Sequence, residues 1–462
     1  MNSKKSAGSQ NRREEIHMIT DMTQGKPFQV LWRFTIPMLV SVMFQQFYNI
    51  VDSIVAGKFV GVDALAAVGA SYPITMIFMA VATGLNIGCS VVISLYFGAR
   101  EYGKMKCCVS TSLISTLGIA VFLSGCGFLF SRPLMRLMNT PQNIFSDSAL
   151  YLNIYIGGLI FLFLYNICTG VFTALGDSRT PLYLLIASSL GNIVLDLVFV
   201  VVFHMGVAGV AWATFIAQGI SSLLAFVTLL RRLKDIEAEE PYSKFSWEMA
   251  GKISRVAVPS ILQQSFISVG NLFVQGLINS YGSAVVAGYS AGMKVNTFAI
   301  TCFSTLGNGL SSFTAQNTGA GRPERISQGF RAGVRLVLCV AVPAFLLFFM
   351  FSPSVIQLFM SKGGEAAAQV GVEFLRIVSP FYMVISLKLI ADGVLRGSGS
   401  MKAFMVSTFT DLILRVFLAF VLSVPFGAVG IWMSWPAGWV IGTGISLFFY
   451  FTGVWKKKSG IV

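Results

Sequence analysis

Long apolar runs separated by short polar gaps follow one another along the whole chain. Marking the runs between charged or Gly/Pro-rich breaks predicts twelve helices, near residues 28–57, 63–97, 107–130, 148–173, 180–203, 207–230, 252–279, 284–315, 330–351, 368–392, 402–424 and 428–453. Each run contains the ~20 residues that a helix needs to cross a bilayer. The pattern therefore predicts an all-α polytopic membrane protein with twelve transmembrane helices.

Composition and charge agree with this reading. The 462 residues are 55% hydrophobic and only 11% charged, against about 25% charged residues in soluble proteins. The net charge of +14 comes from basic residues in the polar gaps. This arrangement indicates the orientation of the chain in the membrane, and we expect no nucleic-acid partner. Alternate gaps are basic, and basic gaps face the cytoplasm. We expect a multi-pass protein of the cell inner membrane with both termini in the cytoplasm.

The two halves of the chain resemble each other, as two six-helix lobes related by pseudo-symmetry would. Pro37 with Asn49 recurs as Pro259 with Asn271, and GVAGVAWAT at 206–214 recurs as GAVGIWMSW at 427–435. Repeats of this kind place a substrate cavity between the lobes. The predicted organisation is a cytoplasmic tail (1–26), an N-lobe with helices 1–6 (27–231), a cytoplasmic linker (232–251), a C-lobe with helices 7–12 (252–455) and a basic cytoplasmic tail (456–462).

Two acids lie inside predicted spans of the N-lobe. Asp52 is on the first helix, and Asp196 follows Asn192 by four residues on the fifth, so those two side chains share a helix face. At ~1.5 Å per residue, Asp52, Asp196 and Thr214 of the sixth helix all lie roughly 10 Å below the outer surface. Such an oxygen-rich group suits Na⁺ or a proton. The alternative is that each acid only bonds to nearby backbone or hydroxyl groups.

Other residues in the predicted spans could serve either transport or helix packing. Pro37 breaks the backbone hydrogen bonding of the first helix and is predicted to act as a hinge. Five side chains are candidates for a substrate cavity, although amides within spans more often join helices and a lysine there can pair or snorkel. These candidates are Gln45, Asn49, Asn166, Asn271 and Lys294.

The C-lobe also carries charges within its spans. Asp411 and Arg415 are four apart on one helix, and so are Asp392 and Arg396. This spacing favours an internal ion pair in each case, as a structural feature. We therefore expect the ion site in the N-lobe only.

Several function classes are excluded by missing motifs. The chain has no nucleotide-binding G-x-x-x-x-G-K-[ST], no nucleophile elbow and no H-E-x-x-H, and its seven cysteines have neither CxxC spacing nor histidine companions. Enzymatic catalysis and metal or redox chemistry are therefore not expected. Transport driven by an ion gradient remains, with a lipid-linked saccharide flippase of related two-lobe design as the main alternative and a channel or passive receptor as a third.

The chain resembles the multidrug and toxic compound extrusion (MATE) family of antiporters from about Pro27 to Trp455. The motifs that carry the resemblance are IPMLVSVMFQQFYNIVDSIVAGKFVG at 36–61, FGAR at 97–100, TGAGR at 318–322, ALGDSRTP at 174–181, GNIVLDLVFV at 191–200 and GVAGVAWAT at 206–214. Together these motifs are specific, whereas any one alone would be weak.

The resemblance implies a secondary active exporter that exchanges amphipathic, often cationic compounds for H⁺ or Na⁺ by alternating access. In the similar branch of the family, an N-lobe cation site uses positions that match Asp52, Asn192, Asp196 and Thr214, with the kinking proline at Pro37. The other branch places its acids where this chain has Phe266 or Ile267, and Ile385. No cofactor is expected apart from the coupling ion, and the partners are small-molecule substrates and membrane lipids around a monomer.

Overall fold

The computed structural model describes residues 20–55, 59, 62–138, 140–238, 241–359 and 364–456. Most of the predicted tail 1–26 and of the basic tail 456–462 lies outside these residues. Nine of the described helices are long and apolar enough to cross a membrane, and a bent pair of helices makes a tenth span. Two further helices, Ser283–Gly319 and Ala428–Phe451, have 37 and 24 residues and are also long enough to cross a membrane. The predicted all-α fold with twelve transmembrane helices is confirmed.

The first half of the chain contains the spans of helices α1 to α7. Their bounds are α1 Pro27–Val55, α2 Val62–Gly98, α3 Tyr102–Leu137, α4 Gln142–Gly157, α5 Leu159–Ala174, α6 Arg179–Leu197 and α7 Gly206–Asp235. Helices α4 and α5 form one broken span with a bend of 47°, where the sequence predicted one continuous helix over 148–173. Gly158 lies at the break.

The second half contains helices α8 to α15 and repeats this plan. Their bounds are α8 Trp247–Asn279, α9 Ser283–Gly319, α10 Pro323–Met350, α11 Ser352–Gln357, α12 Glu365–Val378, α13 Tyr382–Gly397, α14 Met401–Phe426 and α15 Ala428–Phe451. A 3₁₀ turn, Ser379–Phe381, interrupts the predicted helix 368–392 between α12 and α13. Pro380 lies in this turn and cannot donate a backbone hydrogen bond.

The helices form two compact units whose members do not follow the midpoint of the chain. The N-unit contains Ile36–Ile261 and the described residues before Met22, and the C-unit contains Met22–Thr35 and Leu262–Val462. Helices α1 and α8 are therefore each divided between the units. The division in α1 comes just before Pro37, and that in α8 comes just after Pro259.

Hydrogen bonds within the C-unit hold the segment that leads into α1. Arg325 donates to the backbone carbonyls of Met22, Gln24 and Gly25 at 2.7–3.0 Å, and Arg322 donates to that of Thr23 at 2.7 Å. Arginine suits this task because its fixed fork presents several donors at once. The TGAGR motif and the residues after it therefore anchor the start of α1 to the end of α9.

The corresponding part of the N-unit holds the start of α8. The ammonium of Lys252 donates to the hydroxyl of Tyr96 on α2 at 2.9 Å. Further along, a Cβ atom at Gly84 or Gly88 would collide with the backbone of α8. Small residues at these two positions let the helices approach closely, as is common between transmembrane helices. The C-unit thus contains the first part of α1, and the N-unit contains the first part of α8.

Candidate functional site

Helix α6 carries two of the predicted ion-coupling residues on one buried face. Asn192 and Asp196 are 3% and 1% exposed, respectively. With the Asn192 amide oriented to satisfy its neighbours, Nδ2 donates to Oδ2 of Asp196 at 3.0 Å. A buried acid in a span is costly unless polar groups surround it. Asn192 supplies such a group from one turn away.

The same amide joins α6 to two other helices. Oδ1 of Asn192 accepts a hydrogen bond from the backbone N–H of Thr214 on α7 at 3.1 Å, and Nδ2 also donates to the hydroxyl of Tyr48 on α1. The Thr214 hydroxyl donates to the carbonyl of Val210 at 3.0 Å. The lone pairs of its oxygen point away from that bond and can accept a hydrogen bond or bind a cation. The structure therefore brings Asn192, Asp196 and Thr214 together.

Asp52 lies in α1 one turn after Tyr48, but its side chain is outside the part of the structure that is described. Its predicted role therefore stays a prediction. Pro37 lies inside α1, as expected, and its ring leaves the helix without one backbone hydrogen bond. The boundary between the two compact units falls between Thr35 and Ile36. The missing hydrogen bond at Pro37 therefore lies next to the point where α1 passes from one unit to the other.

Two structural features near this cluster have no counterpart in the sequence analysis. Tyr48 was not singled out, because a tyrosine in a span is usually a packing or interfacial residue. A π-helical turn, Val198–Val202, begins two residues after Asp196. Such turns are rare and are frequent at functional sites. No sequence signal that we used distinguishes this turn from ordinary α-helix.

A small cavity of about 50 Å³ borders Thr214. Its lining comes from α4, α5 and α7 around the break at Gly158, namely Tyr151, Ile154, Tyr155, Gly158, Leu162, Ala211, Thr214, Phe215 and Gln218. Among the described residues, none forms a hydrogen bond with the buried Nε2 of Gln218. The cavity is large enough for a water molecule, which needs polar partners of this kind.

The five predicted cavity residues have different surroundings. Gln45 and Asn49 are exposed on α1. Asn166 is half-buried and donates to the carbonyl of Leu162 on its own helix at 2.9 Å. Asn271 of the C-unit is half-buried. Lys294 is exposed, with its ammonium 5.8 Å from the centre of the Phe359 ring. Their part in substrate binding stays a prediction.

The ion pairs predicted in the second half are wrong. Lys388 of α13, which the sequence analysis overlooked, is 2% exposed and takes both acids as partners. Its Nζ lies 2.7 Å from Oδ2 of Asp392 and 3.6 Å from Oδ2 of Asp411. The spacing of Lys388 and Asp392, four residues apart, was the signal that could have revealed the first of these pairs.

The two arginines expected to pair with these acids have other partners. The guanidinium of Arg415 lies 4.2 Å from the centre of the Trp435 ring, an arrangement that suits its flat, weakly hydrated cation. Arg396 donates to Oδ1 of Asn308 at 2.5 Å and to the Ser311 hydroxyl at 3.4 Å. We name Lys388, Asp392, Asp411 and Arg415 the C-unit charge cluster.

Comparisons with known proteins agree with the duplicated design. The sequence profile of the family described as MatE matches residues 37–198 and, a second time, residues 259–421. The chain is 29% identical to the probable multidrug resistance protein YoeA of Bacillus subtilis over 452 residues, which cover 95% of this chain and 97% of that protein. It is also 29% identical to the probable multidrug resistance protein YpnP of the same organism over 432 residues, 94% of each.

A solved structure has the same fold. It is a MOP superfamily transporter from Pyrococcus furiosus, which superimposes with a TM-score of 0.87 at 22% identity and covers 94% of this chain and 97% of that one. The two matches to one profile explain the recurrence of the proline helices and of the broken fourth span in each half. The chain therefore belongs to the MatE family of membrane transporters, and it is not an enzyme.

Proposed function

We propose that this protein is a secondary active exporter that exchanges amphipathic, often cationic compounds for H⁺ or Na⁺. The observation that carries the proposal is the buried contact between Asn192 and Asp196 beside Thr214, in a chain whose relatives include two proteins named for multidrug resistance. The family match does not favour the flippase alternative. Asp52 is proposed as a second acid of the same site.

The chemistry follows from the groups at this site. Asn192 donates a hydrogen bond to one oxygen of Asp196. This bond stabilises the ionised carboxylate, which can only accept hydrogen bonds. A proton or a sodium ion that binds the carboxylate changes what this group can accept and therefore changes its contacts with α1 and α7. The ion drives export only to the extent that it binds one conformation more tightly than the other. No bound cofactor is required besides the coupling ion.

Helix α1 is the proposed route from ion binding to movement. Tyr48 contacts Asn192 from this helix, and Pro37 lies eleven residues earlier along the same helix, next to the change of compact unit. A change at the Tyr48 end can bend α1 at Pro37, because the helix lacks a hydrogen bond there. Bending and substrate release are then linked in the alternating-access cycle that we propose.

Transport of a fluorescent cationic dye into inside-out membrane vesicles tests this proposal. We expect accumulation that collapses either with a protonophore or on removal of sodium, which identifies the coupling ion. Asp196→Asn should lower accumulation by more than about tenfold, since losing ~1.4 kcal/mol of coupling already changes the equilibrium tenfold. The vesicles also report orientation if the termini are tagged, and we propose that both lie in the cytoplasm.

Asp147→Asn is the matched control, because Asp147 is an exposed acid of α4 in the same unit. It should transport the dye as the unmodified protein does. Full export by Asp196→Asn, at equal amounts of protein in the membrane, would refute the assigned site. Accumulation that neither treatment affects would refute ion-coupled export altogether.

A further inference from the structure

The exposed face of α10 changes from cationic to apolar along the helix. Arg331 and Arg335 are both exposed and lie four residues apart, so their side chains share a face. The same face continues with the exposed residues Cys339, Val342 and Leu346. Two cations followed by an apolar stripe match a molecule that has an anionic head and an apolar tail.

The two arginines lie where α10 enters the apolar part of a membrane. The helix has 28 residues, or about 42 Å at ~1.5 Å per residue, whereas the hydrocarbon of a bilayer is ~30 Å thick. Counted back from Met350, the end of the helix, this layer begins near Arg331. The stripe from Arg335 to Leu346 is about 16 Å long, close to the ~15 Å of hydrocarbon in one leaflet.

No acid of the described residues neutralises these two cations. None of the ion pairs among those residues includes Arg331 or Arg335, and Glu324, the nearest acid before them in α10, lies in the first turn of the helix. Arg322 and Arg325 differ, because they hold the segment before α1. The positive charge of the exposed pair is therefore available to an external anion.

The chain after α15 folds back toward the same end of the C-unit. Gly453 has a φ of +72°, a conformation that favours glycine, and the 3₁₀ turn Val454–Lys456 follows it. The turn stacks Trp455 on Tyr450, with ring centres 5.7 Å apart, and Nε1 of Trp455 donates to the Tyr450 carbonyl at 2.9 Å. Lys456 is exposed, with Nζ 5.5 Å from the centre of the Trp455 ring.

An aromatic stack connects this turn to α10. The Tyr450 ring lies on that of Phe330, with ring centres 3.9 Å apart, and Phe330 directly precedes Arg331. The Tyr450 hydroxyl forms a hydrogen bond with the Ser327 side chain and is close enough to Arg331 to interact electrostatically. Tyrosine and tryptophan are typical of the membrane interface. The stack thus links Lys456 to the cationic face of α10 at the level of lipid headgroups.

The first half of the chain lacks this arrangement. Helix α3 corresponds to α10, since they follow the related motifs FGAR and TGAGR. When both helices are counted from their first residues, Arg331 matches Ser110 and Arg335 matches Ile114. The cationic face is therefore a feature of the C-unit, and placing a helix of this kind in a membrane does not require it.

We propose that Arg331, Arg335 and Lys456 bind the phosphate of an anionic phospholipid, and that one acyl chain of this lipid lies along the stripe from Cys339 to Leu346. A guanidinium group can donate two parallel hydrogen bonds to a phosphate, and basic pockets at the cytoplasmic ends of transmembrane helices bind anionic headgroups. A zwitterionic lipid fits less well, because its own ammonium would meet three cations. The lipid site does not depend on the proposed exchange mechanism.

Native mass spectrometry of the full-length protein, released from detergent, tests this proposal. The probes are dioleoyl phosphatidylglycerol and dioleoyl phosphatidylcholine, which share acyl chains and differ in headgroup charge. We expect tighter binding of phosphatidylglycerol. Arg331→Gln with Arg335→Gln should weaken that binding by about thirtyfold, because two of the cations that face the phosphate are lost, and should leave phosphatidylcholine binding unchanged. Unchanged phosphatidylglycerol affinity in this double variant would overturn the proposal.

Arg132→Gln with Arg136→Gln is the matched control. These two arginines of α3 are also exposed and four residues apart, so the control removes the same charge. It should bind phosphatidylglycerol as the unmodified protein does. An equal loss in both double variants would overturn the proposal, since net charge would then set the affinity. Inorganic phosphate that binds as tightly as phosphatidylglycerol would also overturn it, because the acyl chain would then contribute nothing.

A fluorescent label on Cys339 tests the position of the acyl chain. The other cysteines are buried or half-buried, and Cys126→Ser removes the half-buried one. Phosphatidylglycerol with brominated chains quenches the label on contact, and it should quench more than brominated phosphatidylcholine at the same mole fraction. This preference should disappear in Arg331→Gln with Arg335→Gln. Equal quenching by the two lipids in the parent protein would overturn the proposal.

Lys456→Gln keeps the test decisive if the arginine variants do not fold, because Lys456 lies after the last transmembrane helix. Losing this one cation should weaken phosphatidylglycerol binding by about fivefold. An unchanged affinity in this variant would remove the C-terminal turn from the site and overturn the proposal as stated.

Discussion

The N-unit and the C-unit use buried acids in opposite ways, although one family profile matches both halves. In the N-unit, the buried Asp196 accepts a hydrogen bond from the neutral amide of Asn192. In the C-unit, Lys388 pairs with both Asp392 and Asp411. Duplication preserved the helices, and the charges within them diverged.

This difference predicts how substitutions in each unit affect transport and stability. The Asn192 amide that contacts Asp196 is neutral, which suits the reversible ion binding that we propose for this acid. An internal ammonium makes the C-unit charge cluster part of the folded core, since removing one partner leaves a buried charge without compensation. We therefore expect variants of the N-unit acid to alter transport, and variants of the C-unit lysine to alter stability as well.

The largest expected effect is that of Lys388→Met. Removing the ammonium leaves two buried carboxylates without their cation, which should lower the free energy of unfolding by about 3–5 kcal/mol. Thermal unfolding in detergent, followed by tryptophan fluorescence, measures the change. Lys294→Met is the control, because Lys294 is exposed in the same unit. Equal stability of the two variants would contradict the structural importance of the cluster.

The proline helices give the next comparison. Pro37→Ala should lower dye export by more than half without destabilising the protein, because alanine restores a backbone hydrogen bond and stiffens α1 at the proposed hinge. Pro259→Ala changes α8, which carries none of the residues Asn192, Asp196 and Thr214, and should affect export less. Export and thermal unfolding of both variants provide the measurement. A larger transport defect in Pro259→Ala would refute the special role of α1.

The smallest expected effect concerns a single hydroxyl. Tyr48→Phe removes the group that contacts the Asn192 amide, and the net value of one hydrogen bond is about 1 kcal/mol. The apparent affinity for the coupling ion should change by about fivefold, measured as the dependence of export on pH or sodium. Tyr183→Phe, an exposed tyrosine of α6, should leave it unchanged. Identical ion dependence in the Tyr48 and Tyr183 variants would remove Tyr48 from the site.

Local spacing explains which parts of the site were predictable. Residues four apart on a helix share a face, so Asn192 and Asp196 could be placed together before any tertiary information. The same rule failed for Asp411 with Arg415, because spacing makes a pair possible without deciding which of several partners a side chain chooses. Arg415 contacts the Trp435 ring instead, and this partner lies on another helix.

The amino-acid sequence by itself determined the apolar spans, their duplication and the positions of the acids within them, because these follow from local hydropathy and helical periodicity. Only the tertiary structure decided that Tyr48 meets Asn192, that Lys388 joins two acids, and that the arginines after α9 hold the segment before α1. Such contacts depend on which helix faces approach one another. That choice is made by packing among all the helices of a unit, and no short stretch of sequence contains it.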